Sequence, residues 1–350
     1  MQYNPLGSSG VNVSRVCLGT MTWGKQNNQN DANQQIDYAL DKGINFIDTA
    51  EMYAIPPSAE TYGKTEKIIG QWIANNHHKR EKVVLATKIA GNGLSWIRDG
   101  ANITRQAVID AVDNSLTRLN TDYIDLYQLH WPNRPTPHFS RQWPGTLKFT
   151  DVNTQEHQAG MLDILEGLND CVKAGKIKHC GLSDDTPWGI SQFLSLAKEH
   201  NLPRMVSIQN EFSLAHAKDW PYLIEQCVHE DIAYLPWSPL AAGLLTGKYL
   251  NGARPAGSRW TFMQRNGIFR DTPNAQKATQ LYAELAKKNN MSAAQLALAW
   301  CNQVDGVTSS IIGATTMEQL KEDIDAFDIV LSDDILSDIS SIFKNYPMPF

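Results

Sequence analysis

Residues 43–53 read GINFIDTAEMY, and the fold turns on that stretch. Ile44, Phe46 and Ile47 make a short apolar run that ends in a carboxylate, Asp48, and a phenol, Tyr53, follows five residues later. So short a run, closed by polar groups, predicts a buried strand that delivers them at its C-terminal end. The event recurs: VVLATK (83–88) ends at Lys88, and YIDLYQLH (123–130) ends at His130. In a parallel barrel all strand ends of one polarity open on one face, so an acid, a phenol, an ammonium and an imidazole would share a pocket.

Working outward, residues 3–13 carry Gly7, Ser8, Ser9 and Gly10 between short apolar runs and predict a β-hairpin. Residues 16–18 open the first barrel strand, and a loop holding Thr20, Met21 and Trp23 follows. A helix is expected from Asp31, closed by Gly43, before the strand at 44–48. Ile68, Ile69, Trp72 and Ile73 mark the next helix; the third strand is 83–88, Thr104 caps a helix, and the fourth strand is 124–130. Residues 131–158 are long, polar, aromatic and aperiodic, which suits a loop over the active face.

Helices at 161–174, 189–200 and 220–230 then alternate with strands at 177–183, 205–209 and 233–238. A second long loop, 239–273, carries Lys248, Arg254, Arg259, Arg265 and Arg270, which read as solvated apart from Lys248 and Arg259. Two helices follow, at 274–289 and 293–303, the latter opened by a capping box of Ser292 and Gln295. Residues 309–313 make the eighth strand, Thr316 and Gln319 repeat the capping-box spacing, and Ser332 starts a last helix. The pattern predicts a (β/α)8 TIM barrel with an N-terminal β-hairpin and extra helices, one unit over residues 1–350. A doubly wound sheet would carry a glycine-rich turn after its first strand, and GxGxxG is absent.

A net charge of −6 and a pI near 5.8 argue against a nucleic-acid or anionic-membrane partner. The N-terminus lacks a charged segment followed by an apolar one, so export is not expected. Five scattered cysteines without CxxC suggest neither a disulfide framework nor a metal site, and a cytoplasmic enzyme fits best. Gly181-Leu182-Ser183 fails as a nucleophile elbow because Asp185 stands where glycine is needed. The run from Gly243 to Lys248 is one residue short of a phosphate-binding loop, and His77-His78 reads as a solvated pair.

A phenol has a reference pKa of about 10, too high for easy proton exchange near neutrality. A nearby ammonium makes it a better acid, and a carboxylate holds that ammonium charged. Tyr53 as acid, Lys88 as its tuner, Asp48 as the anchor and His130 as the carbonyl orienter therefore suit protonation of an aldehyde or ketone oxygen while hydride reaches carbon. Hydride transfer requires a cofactor.

DTAEMY, the lysine ending strand three and the histidine ending strand four resemble the catalytic tetrad of the aldo-keto reductase superfamily. Further likeness lies in GLSDD at 181, IQN at 208, PWSPLAAGLLTGKY at 236 and IIGATTMEQLKEDI at 311, and it is strongest to the Tas-like bacterial branch, with potassium-channel β subunits also similar. The resemblance implies NADPH lying across the barrel mouth and a small-molecule carbonyl substrate. It places Thr20 and Met21 in the cofactor site, Ser183, Asp184 and Gln209 on the nicotinamide carboxamide, and Trp237 on the ring. Ser238, Leu240, Gly243 and Lys248 would run under the pyrophosphate. Gly313, Thr315, Gln319, Glu322 and Asp323 would surround the adenosine end, with Arg259 reaching the 2′-phosphate.

Two positions depart from the family pattern: Asp184 and Asp323 stand where Asn is usual. An ionised Asp184 only accepts hydrogen bonds, so weaker cofactor binding is expected. Trp23, Trp96 and Trp131 are the candidate walls of the substrate pocket. The channel-subunit likeness leaves a cofactor-sensing interaction protein as the alternative, and metal-assisted hydrolysis as a third reading.

Overall fold

The computed structural model describes residues 1–150, 152–262 and 268–350. Its frame is a closed barrel of eight parallel strands: β3 (Val16–Gly19), β4 (Phe46–Asp48), β5 (Val84–Ile89), β6 (Ile124–Leu129), β7 (Ile177–Ser183), β8 (Met205–Glu211), β9 (Ala233–Trp237) and β10 (Ser310–Ile312), with β10 closing against β3. The antiparallel hairpin β1 (Tyr3–Pro5) and β2 (Asn12–Ser14) precedes it. Leu6 and Val13 from the hairpin pack with Phe46, Ala86, Leu126 and Leu235 inside the barrel, closing the end opposite the mouth.

The strands alternate two environments, which is what places the polar groups. Val84 and Ala86 belong to the inner cluster, whereas Leu85 and Ile89 pack outward with the helices. The same phase sends Lys88 inward, one step above Ala86. Phe46 and Asp48 on β4, and Leu126 and Gln128 on β6, repeat the pattern: apolar below, polar at the mouth. Asp48 pairs with Ala86 and Lys88 with Gln128, so the stagger of the barrel lifts each successive polar group along the rim.

The connecting helices are α1 (Gln29–Asp41), α2 (Lys64–Asn75), α3 (Arg105–Leu119), α4 (Thr154–Lys173), α5 (Pro187–Glu199) and α6 (Tyr222–His229). They are followed by α7 (Arg259–Phe262), α8 (Pro273–Lys288), α9 (Ala293–Gln303), α10 (Met317–Asp325) and α11 (Asp333–Asn345). α1 begins two residues before the expected start because Asn28 and Asp31 form a reciprocal cap. Thr104, Ser292 and Ser332 cap as read from sequence. At α10 only half the box forms: Thr316 accepts from the Gln319 amide, but the Gln319 side chain turns to Thr315.

Both long loops carry more regular structure among their described residues than their composition suggests. Asn153 caps α4, so the first loop is 131–153, shorter than expected. The second contains short 3-10 helices at Ala241–Thr246 and Leu250–Gly252 together with α7. Tyr249 stacks on Trp260 with ring centroids 4.0 Å apart, in a separate apolar cluster with Tyr282 of α8 and Leu296 of α9. Arg265 lies outside the described residues.

Candidate active site

The tetrad meets at the mouth. Lys88 is fully buried, and its Nζ donates to Asp48 Oδ2 at 2.6 Å and to the Thr49 carbonyl at 2.9 Å. Asp48 Oδ1 accepts from Gln128 Nε2 at 3.1 Å and from Gln209 Nε2 at 2.9 Å, so both carboxylate oxygens are engaged. The chain beyond β4 is stitched to β5, Thr49 N–H donating to Ala86 O and Glu51 N–H to Lys88 O. The Tyr53 ring is thereby set against Lys88 Nζ, 5.2 Å from its centroid, and edge-on to His130 at 5.7 Å.

Electrostatics follow from this burial. Desolvation raises the Tyr53 phenol above its ordinary value, opposed chiefly by Lys88 and pushed further up by Asp48. Burial works against the Lys88 ammonium, but Asp48 and Tyr53 outweigh it, so the amine is held more firmly protonated than usual. His130 is held well below its ordinary value by burial and then by Lys88. It is therefore a neutral imidazole, and its buried Nδ1 has no hydrogen-bond partner among the described residues. An acid, a cation aimed at it and a neutral N–H donor at one rim can protonate and orient a carbonyl oxygen.

Glu51, absent from the sequence reading, is a buried brace behind the tyrosine. It accepts from Ala90 N–H at 2.7 Å, from both terminal nitrogens of Arg98 at 2.7 and 3.1 Å, and from Tyr62 OH at 3.1 Å. Gln128 was also missed, although it lies two residues before His130 on the inward phase and alternation alone would have found it.

The remaining expected residues divide. Ser183 pairs with Gln209 across β7 and β8, and the Asp184 N–H donates to Gln209 O. The Gln209 amide nitrogen is committed to Asp48 and Gln128. Asp184 Oδ1 accepts from Trp237 Nε1 at 3.1 Å, and burial holds its carboxyl well above the usual range. Burial therefore works against the ionised form of Asp184 that the sequence reading assumed. Thr20 is fully buried and donates to Asp48 O, while Met21 O accepts from Ile55 N–H.

Ser238, Ala241, Ala242 and Gly243 take left-handed backbone after β9, Leu240 lying between, and Lys248 packs over Gly243. At the other end a Cβ on the exposed Gly313 would stand 3.6 Å from the Gly19 carbonyl oxygen, and Thr315 is tied to Gln319. Beside Glu322, Asp323 is buried and its carboxyl is pushed up to about 7 by desolvation and then by Glu322, against Lys248. Lys248 and Arg259 form no ion pair among the described residues. Arg259 exerts its charge on both Tyr53 and Lys248.

Trp23 is a correction. Fully buried, it packs in the main core with its indole donating to Gln35, so it lines no pocket. Trp131 fits better, tilted against His130 with centroids 5.1 Å apart and donating to Asn92 O. A Cβ at Gly91 would stand 2.1 Å from the Trp131 indole nitrogen, so only glycine admits that wall. Trp96 stands 40% exposed on the neighbouring loop. Arg270, read as solvated, is buried and paired with Glu211.

Residues 15–344 match the model of the aldo/keto reductase family. The chain belongs to that family. It is 42% identical to Protein tas of Escherichia coli (strain K12) over 100% of this chain and 99% of that protein. It is 34% identical to the uncharacterized oxidoreductase YrpG of Bacillus subtilis (strain 168), covering 98% of this chain and 96% of YrpG. An aldo-keto reductase of Babesia bovis is 35% identical over 69% of this chain and 88% of its own length. This aldo/keto reductase is thus an oxidoreductase of small-molecule carbonyls by family, and no helix among its described residues is long and apolar enough to cross a membrane.

Proposed function

We propose that the chain reduces aldehydes or ketones to alcohols with NADPH, Tyr53 giving the proton to the carbonyl oxygen. The observation that carries this reading is the fully buried Lys88, bound to Asp48 and facing the Tyr53 ring. Two of its three N–H bonds go to Asp48 and the Thr49 carbonyl; the third remains for the phenol side. Lys88 eases proton loss from Tyr53, Asp48 keeps Lys88 charged and fixed, and neutral His130 donates to the carbonyl oxygen. General acid catalysis of this kind is worth about 10²–10⁴-fold.

The residues fit a nicotinamide dinucleotide. Arg259 Nε is buried without a partner among the described residues, and Lys248 beside it makes no ion pair, as a phosphate-bearing ligand would require. Bound, the cofactor would supply the hydride. Lys248 and Arg259 would meet its phosphates, Ser183, Asp184 and Trp237 its nicotinamide, and Asp323 its adenosine. Five free, buried thiols suit a reducing compartment, and we place the protein in the cytoplasm.

The test is NADPH consumption across aldehydes, ketones, quinones and sugar carbonyls, with the alcohol product identified. Turnover on at least one class is expected. A protein that binds NADPH yet consumes none on any of them would be a cofactor sensor, and the reading would fall.

A further inference from the structure

The loop at 131–153 is strapped across the ends of β7, β8 and β9. Arg134 pairs with Asp185, Lys218 Nζ donates to Pro137 O, and Phe139 stacks on Trp237 with centroids 5.7 Å apart. Between these ties sits His138, only 4% exposed. Its Nε2 lies 3.4 Å from the Asp185 carbonyl, and its Nδ1, 3.5 Å from Asp184 Oδ1, is buried with no hydrogen-bond partner among the described residues.

A carbonyl oxygen can only accept, so Nε2 must carry a proton. In a neutral ring Nδ1 is then a bare lone pair, facing an oxygen that already accepts from Trp237 Nε1. With Asp184 ionised, two acceptors would confront each other in a buried site; one proton between them resolves the conflict. We propose that Asp184 and His138 share that single proton, and that the pair sets the edge of Trp237 and presents Asp184 to the cofactor's carboxamide. The second half of this statement rests on the nicotinamide reading given above.

The surroundings decide where the proton resides. Facing His138 are Lys218, His216 and Arg134, all of which disfavour an imidazolium, against the Asp185 carbonyl alone. Facing Asp184 are Glu211 and Asp219, which disfavour a carboxylate, against Lys218 and the Trp237 N–H. Burial, the largest influence on both groups, acts in the same sense, so the proton belongs on Asp184, on the Oδ1 that faces His138 Nδ1, leaving Oδ2 as an acceptor. A carboxylic acid offers one donor and one acceptor, the pattern of the Asn amide it replaces. Because burial holds this carboxyl above the usual carboxylate range, the proton is kept to higher pH than on an ordinary carboxyl and is lost as pH rises.

The experiment pairs two readouts on wild type and Asp184→Asn. In the protein labelled with ¹⁵N-histidine, with His138→Gln identifying the signal, His138 should be neutral with its proton on Nε2 from pH 6 to 8. An imidazolium, or a proton on Nδ1, would overturn the proposal. NADPH affinity, read by tryptophan quenching, should fall about fivefold or more in wild type between pH 7 and 9.5 and less than about twofold in Asp184→Asn, whose amide keeps both roles at any pH. Arg259, lowered by burial to about 10, titrates near this range in both proteins, so the difference between the profiles is the measure. Parallel profiles would overturn the proposal. If neither protein binds NADPH, the functional reading fails, and the nitrogen shifts alone decide the shared proton.

Discussion

The two halves of the barrel mouth bury charge in opposite ways. At the ends of β4 to β6 each buried charge has a partner of opposite sign, Lys88 with Asp48 and Glu51 with Arg98, and the neutral amides of Gln128 and, from β8, Gln209 fill the other Asp48 oxygen. At the ends of β7 to β9 charges crowd. Asp184, Asp185, Glu211 and Asp219 are buried against Arg134, Lys218 and Arg270, most of them supplied by loops. The C-terminal segment joins in, Phe350 stacking on His216 and its carbonyl accepting from Gln142 of the strap. The lesson is a division of labour. Asp48 and Lys88 stand on strands, where alternation fixes them, with His130 just past β6 and Tyr53 on the loop after β4, while the second half holds its geometry through long-range contacts between loops.

Breaking each half should show this. Lys88→Met leaves Asp48 buried without its cation and should cost about 3–5 kcal/mol of stability, read by urea unfolding, with loss of turnover. Arg134→Met strips Asp185 of its partner and should cost about 2–4 kcal/mol. There, however, KM should rise while kcat stays within about tenfold of wild type. A collapse of kcat in Arg134→Met would erase the distinction.

A smaller effect sharpens the comparison at Asp323. The Asp323 carboxyl is held at about 7, above the ordinary carboxylate value of about 3.9. Its protonated form thus favours the fold below about pH 4, and that contribution is lost as pH rises through about 7. Asp323→Asn should remove this slope from the pH dependence of Tm between pH 4 and 8, leaving the tetrad's behaviour unchanged. An unaltered slope would assign it elsewhere.

The sequence disclosed most of the first half and little of the second, for a physical reason. Lys88 after VVLAT and His130 after YIDLYQL are legible because strand alternation carries phase from apolar residues to the polar one at the end. The eight strands, the hairpin and the caps at Thr104, Ser292 and Ser332 are local features and emerged with them. Trp23 was misplaced because a loop tryptophan beside a strand end gives no hint that Gln35 of α1 will receive its indole. His138 and Arg134 sit in an aperiodic segment, and their partners Asp184 and Asp185 lie some fifty residues away, beyond any local signal. Glu51 shares the DTAEMY motif, yet its brace needs Arg98 from another loop.

The most direct test of the central claim is a single-turnover reaction with NADPH carrying deuterium at the transferred C4 position, run with wild type and Tyr53→Phe. Deuterium should reach the carbonyl carbon in wild type, and Tyr53→Phe should bind NADPH within about twofold yet react about 10²–10⁴-fold more slowly. A Tyr53→Phe enzyme that transfers deuterium at the wild-type rate would contradict the account.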